Sequence, residues 1–481
     1  MPVSPTYRTP GPYFATSQTP ALSGTTGQGA RIVVLGTAAK GASMPGLTEY
    51  LSAGDGFRDF GDPATYPQYT APAALQAIFA QTQPGSPNTP RVMVARVGTT
   101  PASGQAIGAT GNLTMQALPQ YAGSAGNAIN LVAQAANLSA YTQSFTLYDG
   151  TGYYSESYSV YDATGGTKAA QLLYTDLISQ SQIVTATAYT NGAWFTAGTY
   201  TLSGGLDGQG GTIQQADLDK LQSLDVDFVI PLQADLATIQ LAQVHCQTMR
   251  ANGKPRMLWA GFAIGTQDAT LIANAGALID QVGGTALFGH DSVAVFNPAL
   301  NQSVLQPGFI GACLLAGKKA AGRPEDPILG GQIAGITGVG LPGTYQTDSQ
   351  LATKSAAGLI VLTKASGAWA VRDDVTTAPY GTNIYFMLVV RTCEDQLEKR
   401  LNRVARAQLI GKPGGPNTQT NIQVAVGAEC SQAVSDGLIS SYRAVTATPN
   451  LQVAGAWSVT LFYVPRGETR ELDFTFAVGL S

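Results

Sequence analysis

The chain has 481 residues, room for roughly two to four domains with sizeable cores, and its 44% hydrophobic content excludes a disordered protein. Only 12% of residues are charged, against roughly 25% in ordinary soluble domains. That favours a surface largely covered by copies of the same chain over a neutral-surfaced secreted protein, because charges buried between copies would be costly. The net charge of −4 excludes the basic excess of a dedicated nucleic-acid binder.

Residues 1–28 hold Pro2, Pro5, Pro10, Pro12 and Pro20 among Thr, Ser and Gly, and read as an extended arm. They lack the basic-then-apolar pattern of an export signal, so folding in a cytoplasm is expected. RIVVLG (31–36) and RVMVARV (91–97) read as strands around a helix at 72–81, the first part (29–105) of an α/β unit. From 106 to 204, short alternating runs such as SFTLYDG and YYSESYSVYD are separated by Gly turns, with one helix near 167–178. This stretch reads as an inserted, mostly β domain. Residues 205–345 return to α/β: DFVIPL, RMLWAGFA and SVAVFNPA are strands, alternating with helices at 234–252 and 267–282. Between 300 and 345 the pattern is irregular around a helix at 308–320. That helix is the nearest approach to a membrane span, but Lys318 and Lys319 end its apolar run well short of the roughly 18 residues required.

Residues 346–481 read as a C-terminal α+β domain. GLIVLTKASGAWAVRDD (358–374) is a hairpin with Ser366 and Gly367 at its turn. NIYFMLVVRT (383–392) reads as a strand running into an amphipathic helix. On that helix Leu397, Leu401 and Val404 share one face, while Lys399, Arg403 and Arg406 point the other way. SVTLFYV (458–464) and RELDFTFAV (470–478) alternate like strands, with Leu472, Phe474, Phe476 and Val478 on one side.

Residues that could carry chemistry are few. His245 and His290 are the two histidines, and nothing in their spacing suggests a metal site. Cys246, Cys313, Cys393 and Cys430 fit neither a disulfide framework nor paired metal spacing, and read as core thiols. Gly338, Gly340 and Gly343 satisfy GxGxxG, but Pro342 interrupts the run and no helix clearly follows, so it carries no phosphate-binding signal. The near P-loop at Gly311–Lys318 has one spacer residue too many, and Lys319 stands where a hydroxyl is needed. No catalytic residue, cofactor or metal is assigned, and an enzyme is not expected. Residues 391–412 hold six basic side chains against three acidic ones. The ordinary explanation is a solvated helix face, but in a chain so poor in charge the excess also suggests an acidic partner.

In order and pattern, nearly the whole chain resembles the contractile phage tail sheath family, especially the sheaths of Mu-like phages. The resemblance is carried by PGPYF (10–14), RIVVLGTAAKG, YAGSAGNAINLVA (121–133), LSGGLDG (202–208), QPGFIGACLLAGKKAAGRPEDPILGG (306–331) and the ending from VTATPN to FTFAVGL. A departure is that the family's Arg-rich text near 317–325 is here Lys318, Lys319 and Arg323.

The resemblance implies a structural subunit that forms a helical array around a tail tube and contracts by rigid-body reorientation. It implies an arm (Pro10, Gly11, Tyr13, Phe14) and a terminal strand (Leu472, Phe474, Phe476, Val478) that reach into neighbouring subunits by strand addition, completing the C-terminal domain. That domain would lie innermost, with Lys399, Arg400, Arg403 and Arg406 as tube contacts, and the 106–204 domain outermost. The partners would be further copies of the chain, the tail tube protein, and baseplate and terminator proteins, without nucleic acid or membrane insertion. The particle would be a virion assembled in the host cytoplasm. The sheath of a phage-derived bacteriocin is the close alternative, and a β-rich surface adhesin a remote one.

Overall fold

The computed structural model describes residues 28–38, 48–64, 69–82, 86–97, 103–107, 112–118, 121–149, 155–205, 213–297, 301–341, 346–411, 417–443, 445–449 and 457–466. β1 (Gln28–Gly36) lies inside the main sheet. Ile32 and Val34 enter the core on one side, and Val33 and Leu35 the core on the other. A strand apolar on both faces needs cover on both sides, which is the situation of parallel sheets. α1 (Ala53–Phe60) starts at Ser52, whose hydroxyl accepts from the Asp55 amide, and α2 (Thr70–Phe79) buries Ala71, Ala74, Leu75 and Ile78. β2 (Thr89–Arg96) then pairs parallel with β1, Val33 opposite Met93.

The chain next leaves the sheet. β3 (Ser103–Ile107), β4 (Asn112–Ala117), β5 (Asn130–Ala133), β6 (Thr142–Tyr148), β7 (Ser155–Tyr161), α3 (Ala169–Gln180), β8 (Val184–Thr190) and β9 (Gly198–Thr201) build a separate layer of structure. Its sheets run β3-β4-β8 and β7-β6-β5-β9, both antiparallel. They enclose a core of their own with Leu173 and Leu177 of α3. Along β6, Gln143, Phe145 and Leu147 face inward. The buried Gln143 amide is satisfied by the Phe195 backbone, donating to its carbonyl at 2.7 Å and accepting from its N–H at 3.0 Å.

α4 (Gln215–Asp219) leads back to β10 (Phe228–Pro231), followed by α5 (Leu236–Ala251), β11 (Met257–Ala260), α6 (Asp268–Ala277) and β12 (Thr285–Phe288). Every residue of β10, β11 and β12 is buried. β13 (Ser292–Asn297) and β14 (Gln302–Pro307) pair antiparallel, and α7 (Gly308–Ala321) follows directly. β15 (Ile336–Val339) joins β13, α8 (Asp348–Ala356) begins at the Thr347 capping box, and β16 (Leu359–Ala365) and β17 (Ala368–Asp373) form a hairpin. The main sheet therefore runs β17-β16-β12-β11-β10-β1-β2, parallel except for its β16–β17 edge. α7 is buried almost all round. It sits that close because Gly261, just beyond β11, meets Gly308 with no side chain between them. A Cβ on Gly261 would lie 2.3 Å from the Gly308 carbonyl.

The last part is helical, then β. α9 (Leu388–Val404) runs into a π turn at Ala405–Leu409 and is followed by α10 (Thr418–Ser435). β18 (Ile439–Tyr442) pairs with β21 (Tyr463–Pro465), and β19 (Thr446–Pro449) with β20 (Trp457–Thr460).

The mixed α+β class with a largely parallel sheet is therefore as expected, but several elements differ. The hairpin at 358–374 has the predicted turn, Ser366 and Gly367 both at positive φ as a type I′ turn requires. It is, however, hydrogen-bonded to β12 and completes the main sheet, so that sheet does not stop at residue 345. SVAVFNPA is not a main-sheet strand. TALF (285–288) takes that place, four residues too short to show a period after a helical stretch and two glycines. NIYFMLVV forms a 3₁₀ turn (Ile384–Phe386) and the first turn of α9, since a short continuous apolar run does not by its period distinguish helix from strand. SVTLFYV splits into β20 and β21, which pair with different strands.

Candidate functional site

α9 is an element through which the C-terminal part meets the main sheet, and it carries seven charged side chains. Its N-terminal turns are apolar, with Leu388, Val389 and Val390 buried. Farther along, one face carries Arg391, Asp395, Gln396, Lys399 and Asn402, and that face lies on the α/β unit. Lys399 Nζ sits 2.5 Å from Asp227 Oδ1 and 3.4 Å from Asp225 Oδ1, and donates to the Val226 carbonyl at 3.0 Å. Gln396 donates to the same Asp227 oxygen at 3.0 Å. Arg250 of α5 spans both oxygens of Asp395 at 3.1 and 3.2 Å, and Asn402 donates to the Gly253 carbonyl at 2.8 Å.

The acidic side of this joint is built at the entrance to β10. Arg31 of β1 pairs with Asp225 at 3.0 Å and with Glu49 at 2.9 Å, and its backbone N–H donates to Asp227 Oδ2 at 2.8 Å. The Lys399 ammonium holds the Asp225 carboxyl down to about 2. Burial works against the charge on Lys399, but Asp227 and Asp225 keep its ammonium above the usual lysine range. Among partly buried groups such reciprocal pairing offsets the desolvation of each partner.

The four basic residues expected at one exposed face thus divide. Lys399 is turned into the chain, where it ties α9 to β10. Arg400 pairs with Asp436 at 2.6 Å and Glu429 at 3.8 Å, both from the α10 side. Arg403 is exposed, and Arg406 is half-buried in the π turn. Pro10, Gly11, Tyr13, Phe14, Leu472, Phe474, Phe476 and Val478 lie outside the described residues. Sequence reasoning missed Asp225, Asp227, Arg31 and Arg250. The available signal was the DVD triplet before FVIP, two of the few acids in the chain at the start of a buried strand.

Other places where chemistry could reside are filled by structural bonds. β1 is flanked by β2 on one side and β10 on the other, so the strand order reverses there, as in α/β folds that bind ligands beyond the strand ends. At those ends, the Thr37 N–H donates to the Thr70 hydroxyl at 3.0 Å. The Gln233 side chain accepts from the Ile213 N–H, and Asp235 caps α5 through the Thr238 N–H at 2.8 Å. His245 Nε2 lies 3.1 Å from an Arg256 nitrogen, and burial, helped by that guanidinium, pushes its imidazole down to about 4. His290 accepts from the Leu362 N–H at 3.0 Å, and burial, with Lys354 adding to it, pushes it down to about 3. All four cysteines are free and buried. Among the described residues no cluster of three or more His, Cys, Asp or Glu side chains could hold a metal ion, and no helix is long and apolar enough to cross a membrane.

No protein-family model matches the sequence, and no curated protein matches it. The fold, by contrast, is similar to several solved structures. One is the sheath tail protein from Desulfitobacterium hafniense, at 13% identity and a TM-score of 0.58, covering 92% of this chain and 98% of that one. A second is the sheath tail protein from Listeria innocua, at 13% identity and a TM-score of 0.61, covering 92% and 96%. A third is the anti-feeding prophage helical sheath in its contracted state, at 13% identity and a TM-score of 0.51, covering 98% and 99%. With more than nine-tenths of the chain inside each of these matches, it has the fold of contractile tail sheath proteins.

Proposed function

We propose that the chain is the structural subunit of a contractile sheath, which polymerises as a helical array around a tube and shortens by reorientation of whole subunits. The observation that carries this reading is end-to-end likeness to a helical sheath, with 98% of the chain and 99% of the other covered. Heterologous contacts that do not close produce such arrays. Strand addition by the arm around Pro10–Phe14 and the strand around Leu472–Val478 would link neighbours while their bodies rotate. The C-terminal unit is suited to it, since β18–β21 and β19–β20 are two-stranded pairs that gain from further strands. For the tube, Arg403 is the better candidate, because it is exposed while Lys399 and Arg400 are paired within the chain. The layer between β2 and β10 would face outward.

A phage tail, assembled in the bacterial cytoplasm and carried on the virion, is one setting for this subunit. A phage-derived injection particle is the other, and likeness to the anti-feeding prophage sheath favours it equally. An enzyme reading is supported by no built site among the described residues. The test is negative-stain electron microscopy of the purified protein, alone and co-expressed with the product of the adjacent tube gene. Striated hollow cylinders are expected, and a variant lacking residues 1–20 should stay folded and monomeric. Monomers under both conditions would overturn the sheath reading, and ordered cylinders from the deletion variant would overturn the linking arm.

A further inference from the structure

The chain holds two Asn-Gly pairs, Asn191–Gly192 and Asn252–Gly253. A glycine after asparagine hinders attack by its backbone nitrogen on the asparagine side chain least, because it has no Cβ. Both asparagines are exposed, so access to water does not separate them. Backbone bonding does. Asn252 is the C-cap of α5, where the Gly253 N–H donates to the Arg250 carbonyl at 2.8 Å and the Lys254 N–H to the Met249 carbonyl at 2.9 Å. Asn402 of α9 donates to the Gly253 carbonyl at 2.8 Å, so this turn is held from both sides. Asn191 follows β8 in irregular backbone, and among the described residues no acceptor meets the Gly192 N–H. There it is the side chain that is engaged. Asn191 Oδ1 accepts from the Gln171 N–H at 3.3 Å, and Nδ2 donates to Gln171 Oε1 at 3.4 Å. Gln171 lies in the first turn of α3, whose N-cap residue, Lys168, makes no side-chain capping bond of its own.

We propose that Asn191 is a site of spontaneous deamidation in the folded protein, converted to aspartate and isoaspartate as the chain ages, whereas the fold protects Asn252. The Gly192 nitrogen gives up its proton and bonds to Asn191 Cγ. The bond from Cγ to Nδ2 breaks, and Nδ2 leaves as ammonia with a proton taken from solvent, closing a five-membered imide. Water then opens the ring, at Cγ to give aspartate or at the main-chain carbonyl to give isoaspartate. No oxidant or metal enters. The Gln171 N–H sits where negative charge develops on Oδ1 during the attack, as an oxyanion donor does. At Asn252 the attacking nitrogen must first give up its bond to Arg250, and a net hydrogen bond of about 1 kcal/mol slows such a step about fivefold. Reaction at Asn191 removes the Nδ2 donor to Gln171, and the isoaspartate form also lengthens the main chain and draws Oδ1 off the start of α3. Between residues 106 and 204 the charged side chains are Lys168, Asp149, Glu156, Asp162 and Asp176, so the product adds a fifth acid against a single lysine. This goes beyond the sheath reading and does not depend on it.

The experiment incubates the purified full-length protein at pH 8.5, folded and, in parallel, unfolded in guanidinium chloride. Aspartate and isoaspartate at each asparagine are followed over days by peptide mapping and mass spectrometry. In the folded protein Asn191 should convert at least about fivefold faster than Asn252. In denaturant, where both have only their Asn-Gly sequence, the two should react at similar rates. Equal rates in the folded protein, or faster loss of Asn252, overturn the proposal. So does an Asn191 that reacts only after unfolding. The same preference for Asn191 in denaturant overturns the protection of Asn252 by the fold, because local sequence then accounts for the difference.

Discussion

Lys399 and Asp227 stand 172 positions apart in the chain and 2.5 Å apart in the fold, joining α9 to the residue just before β10. Each is mostly shielded from water, the lysine side chain 14% and the aspartate 16% exposed. Asp227 also receives the Arg31 backbone N–H, so the pair links β1, β10 and α9 at one point.

Replacing Lys399 by alanine strands Asp225 and Asp227 beside each other. The expected cost is about 2 kcal/mol, below the roughly 3–5 kcal/mol of breaking a fully buried pair. The acid limb should move as well. Asp225 is held at about 2 by Lys399, so its share of stability is present above the ordinary aspartate value and lost as pH falls through about 2. In Lys399→Ala, where the Asp225 carboxyl moves back toward its ordinary value, that acid-side loss should shrink. Denaturant unfolding from pH 7 down to pH 2 checks both.

The histidines predict a stability that falls as the solution becomes more acidic. His290 is fully enclosed, accepts from the Leu362 N–H, and is pushed down to about 3 by burial. Its neutral form is therefore the folded form. The stability it contributes is intact above the ordinary histidine value of 6.5 and drains away as pH falls toward 3. His290→Gln should unfold more easily than wild type at pH 7, with the gap closing by pH 5. A gap constant with pH would contradict this account.

Gly261→Ala tests the seat of α7. The new Cβ would meet the Gly308 carbonyl at 2.3 Å, and backbone on both sides cannot swing away as a side chain can. Overpacking of this kind costs about 1–3 kcal/mol, and the upper end is expected here. Gly265→Ala is not a clean control because Gly265 has a positive φ, whereas Gly276→Ala has open space and should be nearly silent. Parallel urea titrations of the two variants measure the difference.

Much of the fold was legible locally. The period-two burial of β6, the Ser366–Gly367 turn and the amphipathic run of α9 each lie within a window of a few residues, where side-chain spacing alone reports which face is buried. The core role of the cysteines was legible from their spacing and apolar neighbours. What failed were short or uniformly apolar segments. TALF is covered on all sides and NIYFMLVV is apolar without a break, so neither carries a period, and only the surrounding elements distinguish strand from helix.

The candidate site was less legible. Spacing placed Lys399, Arg403 and Arg406 on one helical face, but could not say what that face would meet. The sequence by itself determined the order and kind of most elements and the poverty of charge. The tertiary structure decided that the 358–374 hairpin closes the main sheet, that Lys399 is used within the chain, and that Arg250 and Arg391 meet at Asp395. The reason is physical: periodicity is set by neighbours along the chain, whereas an ion pair across 172 positions exists only after crossovers bring two buried surfaces together and exclude water between them.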